Sequence, residues 1–208
     1  MTMKITHSTN KKGYYKIYID DELIGSLPKK FIPAEYFVET EETQSLQFAE
    51  FIEFTKNWTY KNATEKLLQL LAKMEKSVYE CEMFLKKWDV PKNIIKKVIE
   101  EAKQRKWVCD KRYATLYAEE AKLCQKSPIE TKYKLLQKKI PIDIIEQTIA
   151  NIFAEENIHE IIKNHINKLL SRYADIPQNK KFEKIATALY RKGFEYSDYE
   201  EILKKSLQ

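Results

Sequence analysis

The chain has 208 residues, 43% hydrophobic and 33% charged, with a formal net charge of +6, a composition that allows one large domain or several small units. Its only glycines are Gly13, Gly25 and Gly193, beside six prolines. Such scarcity argues for long helices and leaves no glycine-rich loop to bring backbone N–H groups onto a phosphate, which excludes nucleotide-binding folds of the Rossmann or P-loop type.

In chain order, the first pattern is Tyr14 to Leu27, where Ile17 and Ile19 alternate with Lys16 and Tyr18 in the two-residue period of a half-buried strand. Asp20-Asp21-Glu22 supplies a turn and Leu23 to Leu27 a returning strand, with Pro28 and Pro33 closing the segment. Two strands are marginal alone, so the hairpin must lean on a helix or gain a further strand. From about Ser45 the period becomes helical. Leu46, Phe48, Ala49, Ile52 and Phe54 predict a first helix broken near Asn57-Trp58-Thr59, and Asn62 to Glu65 reads as the cap of the next. Reciprocal caps are expected at Ser77 with Glu80, Ser127 with Glu130 and Ser197 with Glu200, with Pro128 at a first helical position.

Three stretches align without gaps: Leu85 to Ile99, Leu135 to Ile149 and Leu189 to Leu203. Leu85, Leu135 and Leu189 correspond, as do Val90, Ile140 and Phe194, then Ile95, Ile145 and Tyr199. Each stretch reads as the end of one helix, a short turn with a buried apolar residue, and the start of another. A period near fifty residues is that of a helical array. The expected fold is all-α with a short N-terminal β-hairpin, its tandem three-helix repeats forming an elongated, curved array. The expected segments are the hairpin (1–44), a linking helix (45–59) and repeats over 60–108, 109–153 and 154–208.

Charge divides unevenly along this plan. Residues 1–58 carry seven Lys against nine acids, whereas residues 59–208 carry 30 Lys and Arg against 22 acids. A basic body suits a polyanionic partner or an assembly containing one, although basic helical proteins without such partners are common. Cys81, Cys109 and Cys124 are odd in number and far apart, as free thiols of a reducing cytoplasm would be. No apolar run approaches the ~20 residues that cross a membrane. His7, His159 and His165 have no metal-ligand spacing, so neither a metal nor a cofactor is expected, and nothing in the sequence supports catalysis.

The stretch Lys106-Trp107-Val108-Cys109-Asp110-Lys111-Arg112-Tyr113-Ala114 resembles the signature of the RecX family: an aromatic, an apolar residue, two polar or acidic positions, a variable one, then Arg, an aromatic and Ala. Ser127-Pro128 before a helix, Leu136 to Ile140 near its end, and Leu189-Tyr190-Arg191-Lys192-Gly193-Phe194 resemble further parts of the pattern, as does the hairpin around Asp20-Asp21. The likeness covers nearly the whole chain. Departures are Ser127 and Glu130, where the family often has Gly and Arg, and Asp89 and Lys139 in turns where it has Gly. The resemblance implies a non-enzymatic, cytoplasmic regulator in DNA repair, recombination and the SOS response. Its partner would be the RecA filament on single-stranded DNA, whose strand exchange, ATP turnover and co-protease activity it would restrain.

Candidate partner-binding residues are Lys86 and Lys87 at the first turn, Lys132, Lys138 and Lys139 around the second, Arg191 and Lys192 in the third, and Arg112 in the signature. If the repeats stack in register these cations recur along one side as a basic stripe; read singly, each is a solvated lysine balanced by nearby Glu. Arg112 either pairs locally or projects onto a partner. Trp58, Trp88 and Trp107 are expected to pack between units rather than to stack on bases. The protein is expected to be a monomer with at most weak direct DNA binding. The alternative is a DNA- or RNA-binding protein using its three-helix units as helix-turn-helix modules.

Overall fold

The expected hairpin gains the further strand it needed, from residues ahead of the Tyr14–Leu27 alternation. In the computed structural model, which describes residues 2–8, 12–37 and 46–207, β1 (Met3–His7), β2 (Tyr14–Ile19) and β3 (Glu22–Pro28) form an antiparallel sheet in that order. The expected boundary near Ser45 lies outside the described residues. Asp20 and Asp21 both have positive φ, 47° and 62°, and make the two-residue turn that pairs Ile19 with Glu22. That geometry matches the twist of the flanking strands and admits Asp more readily than most residues.

The chain forms two compact units, Met1–Cys109 and Asp110–Gln208. In the first, the sheet lies on α1 (Leu46–Leu71), burying Ile17, Leu27, Phe48 and Phe51 between them. The expected break in this helix is absent: α1 runs unbroken through Asn57-Trp58-Thr59, and Asn62 is an interior residue rather than a cap. The reason is tertiary. Thr55 and Thr59 are buried beneath β3, where a Cβ at Gly25 would run into both, and Thr59 Oγ1 accepts from the Ser26 N–H at 3.3 Å. Packing against the sheet thus overrides the weak helix preference of these residues. The rest of α1 packs with α2 (Val78–Lys87) and α3 (Lys92–Gln104) around Leu67, Leu85, Val98 and Ala102.

The second unit has six helices: α4 (Asp110–Leu123), α5 (Pro128–Gln137), α6 (Ile142–Ile152), α7 (Glu155–Arg172), α8 (Gln178–Arg191) and α9 (Tyr196–Ser206). One apolar cluster holds Ala114, Leu135, Ile140 and Ile145; a larger one gathers Ala118, Phe153, Ile162, Ile166, Leu189, Phe194 and Leu203.

Helix ends explain the repeated sequence pattern. At the end of α2 the Asp89 N–H bonds Lys86 C=O and the Val90 N–H bonds Leu85 C=O; Lys139 and Ile140 do the same after α5, and Gly193 and Phe194 after α8. These pairs define the Schellman motif, in which the residue after the C-cap is left-handed and the next packs back onto the last turn. Accordingly Asp89, Lys139 and Gly193 have φ of 56°, 57° and 81°, and Leu85, Leu135 and Leu189 are fully buried beneath Val90, Ile140 and Phe194. Lys106 after α3 and Gln125 after α4 repeat the geometry. The turns lacking the family's glycine therefore keep its left-handed conformation.

The caps differ from expectation at two of three sites. Ser77 and Glu80 form the full reciprocal box. Ser127 accepts from the Glu130 N–H at 3.1 Å, but the Glu130 carboxylate turns to Lys126 Nζ, 2.8 Å away. At the third site α9 begins two residues early, capped by Glu195 with Asp198 instead of Ser197 with Glu200.

Candidate partner-binding surface

Six of the eight cations singled out by sequence fall at helix C-termini, where positive charge is favoured by the helix dipole. Lys86 and Lys87 close α2, Lys138 caps α5 with Lys139 next to it, and Arg191 and Lys192 close α8. Lys86, Lys87, Lys139, Arg191 and Lys192 are exposed, and none forms an ion pair among the described residues. Lys132, on α5, instead pairs with Glu146 of α6 at 3.4 Å. Arg112 is exposed in the first turn of α4, beside Asp110, whose charge suits a helix N-terminus. Its neighbour Tyr113 packs on the cluster of its own repeat, stacked with Tyr117.

Within the second unit the fold sets the spacing of these groups. The α8–α9 turn lies against the start of α5: a Cβ on Gly193 would come within 2.7 Å of Ser127 Oγ and 3.5 Å of Ile129 Cβ. The turn that follows Arg191 and Lys192 therefore sits at the beginning of α5, while Lys138 and Lys139 stand at its end, about 15 Å away at the rise of an α-helix. Lys86 and Lys87 belong to the first unit.

Two left-handed turn residues anchor neighbouring elements through their side chains. Asp89, with 6% of its side chain exposed, pairs with Lys16 of β2 at 2.8 Å and accepts from Ser8 Oγ, fastening the sheet to the first turn. Gln125 receives His165 Nε2 on its carbonyl at 2.8 Å and Lys168 Nζ on its side-chain oxygen at 2.9 Å, fastening α7 to the end of α4. Because a carbonyl only accepts, the proton sits on Nε2. Burial pushes the His165 imidazole below its ordinary value; the Gln125 bond opposes this, and Lys192 and Lys168 add to it. Burial likewise raises the Tyr117 phenol, helped by Glu130.

Sequence reasoning missed an apolar stripe on α5. Ile129, Tyr133 and Leu136 are 48%, 58% and 42% exposed and share one helix face at their spacing of four and three residues. The tryptophans are partly buried: Trp58 beside Tyr14 and Phe31, Trp88 under Lys66 Nζ at 4.2 Å, and Trp107 beside the Arg105 guanidinium at 5.1 Å. The three cysteines are free thiols, buried at 81 and exposed at 124. Among the described residues no group of His, Cys, Asp and Glu could hold a metal, and no helix is long and apolar enough to cross a membrane.

Three-helix repeats, each with a left-handed turn between its last two helices, behind a small antiparallel sheet, define a tandem helical-repeat protein. The same fold is found in a solved structure of the regulatory protein RecX (TM-score 0.69, 23% identity, 98% of each chain) and in that of RecX from Lactobacillus salivarius (TM-score 0.66, 24% identity, 70% of this chain and 95% of that one). No family model matches the sequence. Among curated relatives, regulatory protein RecX of Streptococcus pneumoniae strain CGSP14 is 31% identical over 198 residues, and that of serotype 19F strain G54 is 32% identical over 206; both alignments span 94% of this chain and 74% of the relative. The chain belongs to the RecX family of regulatory proteins.

Proposed function

We propose that this protein is a non-enzymatic, cytoplasmic regulator that binds the RecA filament on single-stranded DNA and restrains its ATP turnover, strand exchange and co-protease activity. The observation that carries the reading is family membership across nearly the whole chain. The candidate cations give it a physical form: Lys86, Lys87, Arg112, Lys132, Lys138, Lys139, Arg191 and Lys192 supply positive charge to acidic protein surface or to phosphates. The repeats over 60–108, 109–153 and 154–208 are the units that present them, with α1 shared between the sheet and the first repeat. Bridging neighbouring RecA protomers would hinder the movements that ATP turnover requires, and occupying the filament groove would exclude a second duplex.

The test is RecA ATP hydrolysis on single-stranded DNA, titrated with this protein at well below one copy per RecA. Inhibition at such ratios, with little binding to bare DNA, is the expected result. No effect on a matched RecA, with tight and steeply salt-dependent binding to bare nucleic acid, would replace this reading with that of a helix-turn-helix nucleic-acid binder. A Lys138→Glu/Lys139→Glu/Arg191→Glu/Lys192→Glu variant is expected to lose filament affinity. Unchanged affinity would remove these four residues from the interface.

A further inference from the structure

We propose that the exposed face of α5 is a docking strip for an acidic segment of a partner protein that carries apolar side chains, so that the decisive contact is with protein and not with DNA. The inference rests on the filament-binding reading and names the chemistry of one contact within it. Ile129, Tyr133 and Leu136 form an uncovered apolar row about two helical turns long. Exposed apolar side chains occurring singly are ordinary, but a contiguous row rimmed by charge is the usual form of an interaction site. Cations gather near both ends: Gly193, next in sequence to Arg191 and Lys192, sits against Ser127 and Ile129 at the start of the row, and the exposed Lys139 follows its end.

Of the neighbouring carboxylates, Asp143 is exposed in the first turn of α6 and three others are engaged elsewhere. Glu130 holds Lys126, Glu146 holds Lys132, and Glu195 caps α9. The strip thus offers cations at both ends, which a partner's carboxylates would meet, and aliphatic and aromatic surface between them. A phosphate backbone could answer the cations, but it has no counterpart for Ile129 and Leu136, and these two side chains are no platform for base stacking. An acidic helix or strand with two or three apolar residues satisfies both features, its anchors entering over Tyr133.

The strip is tested with a Tyr133→Ala/Leu136→Ala variant, which leaves every cation and the Ile129 contact with the α8–α9 turn in place. Circular dichroism and the urea midpoint are checked first against the parent protein. Binding is then measured to RecA filaments on single-stranded DNA, to bare single-stranded DNA, and to a fluorescent helical peptide of Glu with Leu at every third or fourth position. The expected result is at least a tenfold loss on the filament and on the peptide, with the salt dependence and bare-DNA binding unchanged. A folded variant with parental filament affinity would overturn the proposal, and so would a loss confined to bare DNA, which would make α5 a nucleic-acid surface. Should the parent protein fail to bind filaments at all, the functional reading falls while the strip is still judged by the peptide: binding lost in the variant supports it, and no binding by the parent overturns it.

Discussion

Gly193→Ala examines how closely the third repeat is seated on the second. Gly193 has φ of +81° and its missing Cβ position is 2.7 Å from Ser127 Oγ, the buried hydroxyl that caps α5. The left-handed backbone costs an L residue about 1 kcal/mol, as Lys139 and Asp89 already tolerate. The contact adds about 1–3 kcal/mol, because the turn must lift or the Ser127 hydroxyl must leave the Glu130 N–H. The variant should thus lose about 2–4 kcal/mol in urea unfolding followed by circular dichroism. Ser127→Ala alone should cost about 1 kcal/mol through the lost cap. Combined with Gly193→Ala it should cost less than the sum, since the hydroxyl being struck is gone. Strict additivity, or a Gly193→Ala loss no larger than about 1 kcal/mol, would refute the close seating and leave only the backbone term.

Asp89→Ala should loosen the N-terminal sheet by about 2–3 kcal/mol, somewhat below the figure for breaking a fully buried pair, because the Lys16 side chain keeps 19% exposure. Limited proteolysis should then cut within residues 2–37 first, and unchanged protection of that segment would show that Asp89 is not its fastening. Stability should also fall with acid through His165. Its folded value lies below that of the unfolded chain, so the unfolded state takes up the proton first as pH drops below about 6.5. The stability present above that pH is lost progressively down to the folded value. His165→Gln should flatten this part of the melting-temperature profile between pH 7 and 5, and an identical profile in both proteins would remove His165 as its source.

What could be read from the sequence was what local geometry decides. The Ser77–Glu80 box and the pairs Leu85–Val90, Leu135–Ile140 and Leu189–Phe194 are each contained within six residues, so their signature survives without knowledge of the rest of the fold. The errors arose where distant elements decide. The need for a further strand was legible, but not its place, because the five residues of β1 gain their meaning only from pairing with β2. The passage of α1 through Asn57 to Thr59 depends on β3 lying over Thr55 and Thr59. At α9 two capping boxes overlap, and the nearer one wins because Phe194 is already committed to closing α8, which leaves Glu195 as the next free residue. The cations were legible as charges at turns, but Ile129, Tyr133 and Leu136 have the spacing of a core face, and spacing does not say whether anything covers it.

The left-handed turns also bear on the order in which the chain acquires its structure. Each is closed by hydrogen bonds between residues three and five apart, so a helix pair can form as soon as its own residues are available. Contacts this local are closed at little entropic cost and favour rapid folding. The sheet is different, since Ser8 must find Asp89 across 81 intervening steps of chain. Helical joints should therefore be set early and the N-terminal sheet should seat last, after α2 has emerged and ended. Pulse-labelled hydrogen exchange during refolding would show amides of α2 and α3 protected before those of β2, and the reverse order would mean that the sheet nucleates the unit.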